Sequence, residues 1–174
     1  FSKLATEAIT GTHFKSETDL SEVNIYSRLK AALLPVRKYG AQNIVMYVSS
    51  EVMDFLERSK DFTRSIATTS PQGIDTRVTS LDGVQIIEVW DDARFKTKFD
   101  FTTGFVKASD GKDINFLIVA KPAVIAKAKF NSIYLFAPGQ HTEGDGYLYQ
   151  NRLYHDLFVL ETKKDGVYVS HKSA

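Results

Sequence analysis

The residues with the most chemical potential come in a few small groups. His141, Glu143 and Asp145 place an imidazole and two carboxylates at alternate positions. Such a set could hold a divalent ion or move protons. The stretch around it contains Gly139, Gly144 and Gly146, and polar residues are common in turns of that kind. Tyr154, His155 and Asp156 set an imidazole beside a carboxylate, the two partners that activate a hydroxyl in a hydrolase. On a strand, neighbouring side chains point to opposite faces, so His155 and Asp156 cannot easily orient each other. Asp91 and Asp92 are adjacent carboxylates and read as a turn, because an acid/base pair needs facing groups with separated pKa values.

No nucleophile elbow, phosphate-binding glycine loop, dinucleotide fingerprint or zincin helix occurs in the sequence. The residues alone therefore predict no catalytic group, no cofactor and no metal site. The aromatic run Trp90, Phe95, Phe99, Phe101 and Phe105 is interleaved with Asp91, Asp92, Asp100, Arg94, Lys96 and Lys98. A single-strand nucleic-acid platform would pair aromatics with a clear excess of positive charge. Core and interface packing is the better use of these rings.

Composition narrows the classes further. The 174 residues carry 22 basic and 21 acidic side chains, a net charge of +1. That balance gives no electrostatic grip on nucleic acid or on an anionic membrane. Lys127 with Lys129, and Lys163 with Lys164, are short clusters that read as solvated faces. There is no cysteine, which excludes disulfides, thiolate nucleophiles and cysteine-type zinc sites. No apolar run approaches the roughly 20 residues that span a bilayer, and no signal peptide is expected. The sequence opens at Phe1 without a Met, which suggests a fragment or a processed product.

The elements that must position these residues read as α+β. Leu4, Ala5, Ala8 and Ile9 share a helical face over Phe1–Ile9, ended by Gly11. Thr12–Thr18 reads as a loop. Asp19, with Glu22 in capping-box position, predicts a helix from Leu20 to about Lys38, kinked or ended by Pro35 and closed by Gly40. Ile44–Val48 reads as a buried strand. Ser49 or Ser50 then caps a helix burying Val52, Phe55 and Leu56. Thr63–Gly73 reads as a long loop. Asp82-Gly83, between Thr76–Leu81 and Val84–Val89, predicts a type I′ hairpin. Further on, Ser109-Asp110-Gly111 marks a turn and Ile114–Val119 a second buried strand. Pro122 should start a short helix to Lys129. Ile133–Phe136, Tyr147–Leu160 and Val167–Val169 read as strands, with turns at Pro138–Gly146 and Lys163–Gly166. The change near Phe130 predicts a mixed body followed by an all-β tail.

Several runs occur in a fixed order: Ser80-Leu81-Asp82-Gly83-Val84, Ile86-Ile87-Glu88-Val89, Ile114-Asn115-Phe116 and Pro122-Ala123-Val124-Ile125. They are followed by Tyr149-Gln150-Asn151-Arg152-Leu153-Tyr154-His155-Asp156-Leu157-Phe158-Val159-Leu160 and Gly166-Val167-Tyr168-Val169. The set resembles the C-terminal half of major capsid proteins of tailed phages and of prophages in Gram-positive bacteria, over nearly the whole chain.

The resemblance implies the Hong Kong 97 capsid fold. Residues 1–19 would be the end of the spine helix and a connecting loop. Residues 20–130 would form the axial domain, a mixed β-sheet with flanking helices. Residues 131–174 would return to the peripheral-domain sheet. It implies a structural shell subunit and no enzyme, with other copies of itself in capsomers as partners. Scaffold, portal or maturation protease would be further partners of the full-length protein. No membrane and no sequence-specific nucleic acid are expected. The location implied is the virion, after synthesis in the bacterial host cytoplasm. Arg64, Asp91, Arg94 and Arg152 are the candidate contacts between subunits. The alternative reading is a hydrolase using His155 or the His141, Glu143 and Asp145 cluster.

Overall fold

Burial on both faces is what makes Ile114–Ala120 a strand at the heart of a sheet. All of its residues are buried, and its run of branched and aromatic side chains suits a position with layers on either side. The computed structural model describes residues 1–61, 78–102, 104–142 and 144–173. The loop predicted over Thr63–Gly73 lies outside the described residues. The elements in chain order are α1 (Ser2–Thr10), β1 (Phe14–Ser16), α2 (Ile25–Leu33), β2 (Ile44–Ser49), α3 (Ser50–Arg58), β3 (Ser80–Leu81), β4 (Val84–Val89), β5 (Phe99–Asp100), β6 (Val106–Lys107), β7 (Ile114–Ala120), β8 (Val124–Phe136), β9 (Leu148–Val159) and β10 (Val167–His171). Short 3-10 turns join several of them.

The described chain divides into two compact units, Phe1–Val124 with Val159–Ala174, and Ile125–Phe158. The first is built on a mixed six-stranded sheet of order β1-β10-β7-β2-β4-β3. β2 runs parallel to β4 and antiparallel to β7, while β10 runs antiparallel to β7 and parallel to β1. Ile25, Leu29 and Leu33 of α2 and Val52, Met53 and Leu56 of α3 pack with Met46, Val48, Phe116 and Ile118 in one core. Full burial of each such side chain contributes about 1.5–3 kcal/mol. The second unit is a two-stranded ribbon of β8 and β9.

The predicted hairpin is present. Asp82 and Gly83 both have positive φ, 52° and 78°, as a type I′ turn requires. Ser49 caps α3, its hydroxyl accepting from the Val52 amide at 3.3 Å. β2, β7, β9 and β10 fall where strands were expected.

Other expectations need correction. Asp19 does not cap α2. The Asn24 side chain folds residues 21–24 into a turn instead, its Oδ1 accepting from Ser21 N at 2.9 Å and its Nδ2 donating to Asp19 O at 2.7 Å. Glu22 faces Arg58 at 3.7 Å, so no capping box forms. The helix stops at Leu33, two residues before the proline; Leu34 keeps helical dihedrals, φ −54° and ψ −49°, but Pro35 has no amide hydrogen to carry the ladder on. Thr12–Thr18 holds a strand, β1, which lies beside β10. No helix runs from Pro122 to Lys129. Pro122 sits in a 3-10 turn, Lys121–Ala123, after which Val124 enters the long strand β8. Pairing with β9 supplies the backbone partners that override the helical tendency of the Ala/Lys run.

Candidate functional site

The predicted chemical residues are now in place. His155 and Asp156 lie on β9, beside a largely apolar hollow of about 510 Å³ lined by Lys127, Ala128, Lys129, Tyr154, His155, Asp156 and Phe158. No serine, threonine or cysteine lines it, so the imidazole has no aliphatic hydroxyl or thiol there to activate. The Asp156 carboxylate accepts from the Leu157 amide at 2.7 Å. His141 turns inward on its own loop, its Nε2 lying 2.6 Å from the Gly146 carbonyl. Glu143 is outside the described residues. Among the described residues, no group of three or more acidic, histidine or cysteine side chains is placed to hold a metal ion.

The candidate contact residues divide in two ways. Asp91 and Arg94 come together in one exposed turn, with Arg94 Nε 3.0 Å from Asp91 Oδ2. The other Asp91 oxygen accepts from Ala93 N at 3.1 Å, which shapes that turn. Arg152 is exposed on the β8–β9 ribbon, and Arg64 lies outside the described residues.

The surface carries features the sequence reading passed over. β5 and β6 form a small two-stranded sheet on which Phe99 stacks on Phe105 at 4.3 Å, with Phe101 5.8 Å from Phe105. Phe101 is 71% exposed and Phe105 56%. The sequence singled out these rings but not the sheet that presents them. Phe95, by contrast, is buried and meets Phe1 edge-on at 5.1 Å. On the ribbon, Ile133, Leu135, Tyr149, Leu153 and Tyr154 are all exposed. A two-stranded ribbon is marginal alone in water, and wide apolar exposure marks surfaces built for partners.

A buried polar knot was also missed. Glu17, 4% exposed, accepts from Ser170 Oγ at 2.8 Å through Oε2. Its Oε1 stands 3.0 Å from Lys15 Nζ and 3.5 Å from Arg28. Asn115 Nδ2 donates to the Glu17 carbonyl at 2.9 Å. The knot ties β1, β7 and β10 together, and Glu17 and Asn115 also line a small hollow of about 90 Å³ beside Glu51 and Lys172. Near the opposite end of the sheet's first helices, Tyr39 donates to Asp165 at 2.6 Å. Burial, together with that hydrogen bond, pushes the Tyr39 hydroxyl up to about 12. Lys38, and then Tyr39, hold the Asp165 carboxyl below its ordinary range. Tyr39, Lys38 and Asp165 hold turns together and read as structural.

No family model and no curated protein matches the chain. Solved structures do. A chain from Mycobacterium phage Ogopogo superposes with a TM-score of 0.60 at 13% identity, over 93% of this chain and 54% of that one. A chain from the asymmetric unit of the bacteriophage PhiM1 mature capsid gives 0.59 at 14%, over 92% and 51%. One from Gordonia phage Cozz gives 0.55 at 15%, over 92% and 50%. The chain thus spans about half the length of the solved chains it matches. Its fold is that of phage capsid chains, the Hong Kong 97 type.

Proposed function

We propose that the chain is the C-terminal part of the major capsid subunit of a tailed phage or prophage, and that it works through contacts with copies of itself. The observation that supports this reading is the fold. More than nine-tenths of the chain, built on the six-stranded sheet and the ribbon, superposes on phage chains, one of them from a mature capsid. In this reading the six-stranded sheet and its helices act as the axial domain, which takes in β10 from the 131–174 segment expected in the peripheral sheet, and the ribbon belongs to the peripheral domain. Asp91 and Arg94, together with Arg64, meet neighbours within a capsomer, and Arg152 serves a contact on the ribbon.

A shell subunit needs heterologous contacts that repeat around a ring and others that join rings. The exposed rings of Phe101 and Phe105 and the exposed apolar side chains of the ribbon suit such use. The full-length protein would meet scaffold, portal or maturation protease during assembly, in the host cytoplasm, and end in the virion.

Electron microscopy of the full-length product tests the reading. Regular closed particles, or tubes of ordered capsomers, are the expected result. A product that stays monomeric with and without the neighbouring phage genes, while turning over an ester or phosphate substrate, would replace it with the hydrolase alternative.

A further inference from the structure

Among aspartyl dipeptides, aspartate followed by glycine is the most open to attack on its own side chain, because glycine puts no Cβ in the way of its amide nitrogen and leaves the backbone free to reach the required angles. This sequence holds the pair at Asp82-Gly83, Asp110-Gly111, Asp145-Gly146 and Asp165-Gly166. The structure treats one of them differently from the rest.

At the first site, Lys30 and Arg37 hold the Asp82 carboxylate, and Asp82 and Gly83 are both committed to the hairpin turn. At the second, Lys98 holds Asp110, and the Gly111 amide already donates to Ala108 O at 2.9 Å. At the last, Lys38 and Tyr39 hold Asp165, and a Cβ on Gly166 would stand 2.6 Å from that of Ala123, so the backbone there cannot swing. The same partners keep all these carboxyls below their ordinary range. An ionised carboxylate has no hydroxyl to lose and is a poor electrophile.

Asp145-Gly146 has none of these restraints. Asp145 is exposed, and its carboxylate has no partner among the described residues. A Cβ at Gly146 would meet nothing within 4 Å, and the same holds at Gly144. The contact from His141 engages the Gly146 carbonyl and leaves the amide nitrogen open. The pair sits in the turn between β8 and β9, and exposed loop tips are where backbones are freest.

We propose that Asp145-Gly146 is a site of spontaneous isoaspartate formation in the folded chain. The Gly146 nitrogen bonds to the Asp145 side-chain carboxyl carbon, and the amide proton leaves with a carboxyl hydroxyl as water. The product is a five-membered succinimide. Water then adds back to one of its two carbonyls. Breaking the bond from nitrogen to the main-chain carbonyl gives isoaspartate. Breaking the new bond returns aspartate. No oxidant or cofactor enters. Each event adds one methylene to the main chain of the ribbon turn and moves its carboxylate onto the backbone.

The test is ageing of the purified chain at mildly acidic pH, folded and in urea. Isoaspartate is read by an isoaspartyl methyltransferase with a labelled methyl donor, and placed by electron-transfer peptide mapping. In the folded chain it should accumulate at Asp145 at least about tenfold faster than at each other pair, because those must first open locally. In urea the four rates should converge. Gly146→Ala should slow the reaction at Asp145 and leave the other sites unchanged. Equal rates in the folded chain, or no product at Asp145 while urea yields it, would overturn the proposal.

Discussion

Gly166 packs so closely on Ala123 that a methyl group added to it would stand 2.6 Å from the Ala123 Cβ. The same methyl would lie 3.3 Å from Ala120 and 3.3 Å from the Tyr39 ring. Gly166 does not have positive φ, so the constraint is space and not backbone conformation. Gly166→Ala should therefore destabilise the chain by about 1–3 kcal/mol, the usual cost of overpacking. Ala123→Gly in the same chain should return part of it, as expected for two residues in contact. Urea unfolding of the four variants in that cycle measures both effects. An unchanged midpoint in Gly166→Ala would mean that the turn and the strand end are not packed as described.

Gly83 presents the opposite case. A Cβ there meets only Ala41, at an ordinary 3.7 Å, but φ is +78°. Gly83→Val should cost at least ~1 kcal/mol, because β-branched residues resist that region. Gly83→Asn should cost less, since asparagine tolerates left-handed backbone. A thermal melt in which Val and Asn behave alike would contradict the turn assignment.

Acid stability should depend on the carboxylate that caps this same hairpin. The hydrogen bond from Lys30, joined by Arg37, holds Asp82 below its usual 3.8. The unfolded chain therefore binds the proton first as pH falls. The stabilisation from Asp82 is fully present above 3.8 and is lost as pH drops through the lower folded value. Asp82→Asn should be less stable than the wild type at neutral pH and should show a flatter decline below pH 4. Urea midpoints across a pH series would show this, and parallel acid limbs in the two proteins would rule it out.

The hollow beside His155 carries the last prediction. It offers an imidazole and a carboxylate without a serine, threonine or cysteine beside them, so His155→Ala should leave no measurable activity to lose. Purified chain would be assayed for esterase, phosphatase and nuclease turnover with and without divalent metals. A metal-dependent rate that disappears in His155→Ala would reinstate the hydrolase reading.

What the sequence revealed was what is encoded locally. Asp82-Gly83 states its turn type in two residues, Ser49 its cap in one, and Ile114–Ala120 its burial by composition. What it hid depends on partners far along the chain. β1 exists because β10 lies beside it, and a three-residue run has no period of its own. Ala126, Lys127, Ala128 and Lys129 favour a helix by propensity, and only the distant pairing of β8 with β9 makes them a strand. Glu17 reads as a solvated loop residue until Ser170, Asn115 and Arg28 converge on it. For the candidate contacts, the sequence named Asp91 and Arg94 separately, and the fold pairs them in one turn.

The strand order β1-β10-β7-β2-β4-β3 sets a timetable for synthesis. β10 is the latest of the six to leave the ribosome, yet it belongs between β1 and β7. Until it arrives, β7 presents a bare edge, apolar but for Asn115, and β1 has nothing to pair with. The whole ribbon must be translated in the interval. Unpaired edges of this kind recruit strands from other chains. The nascent chain is thus most vulnerable to misassociation in the interval between making β7 and making β10, and a chaperone that shields β7 would act in that interval.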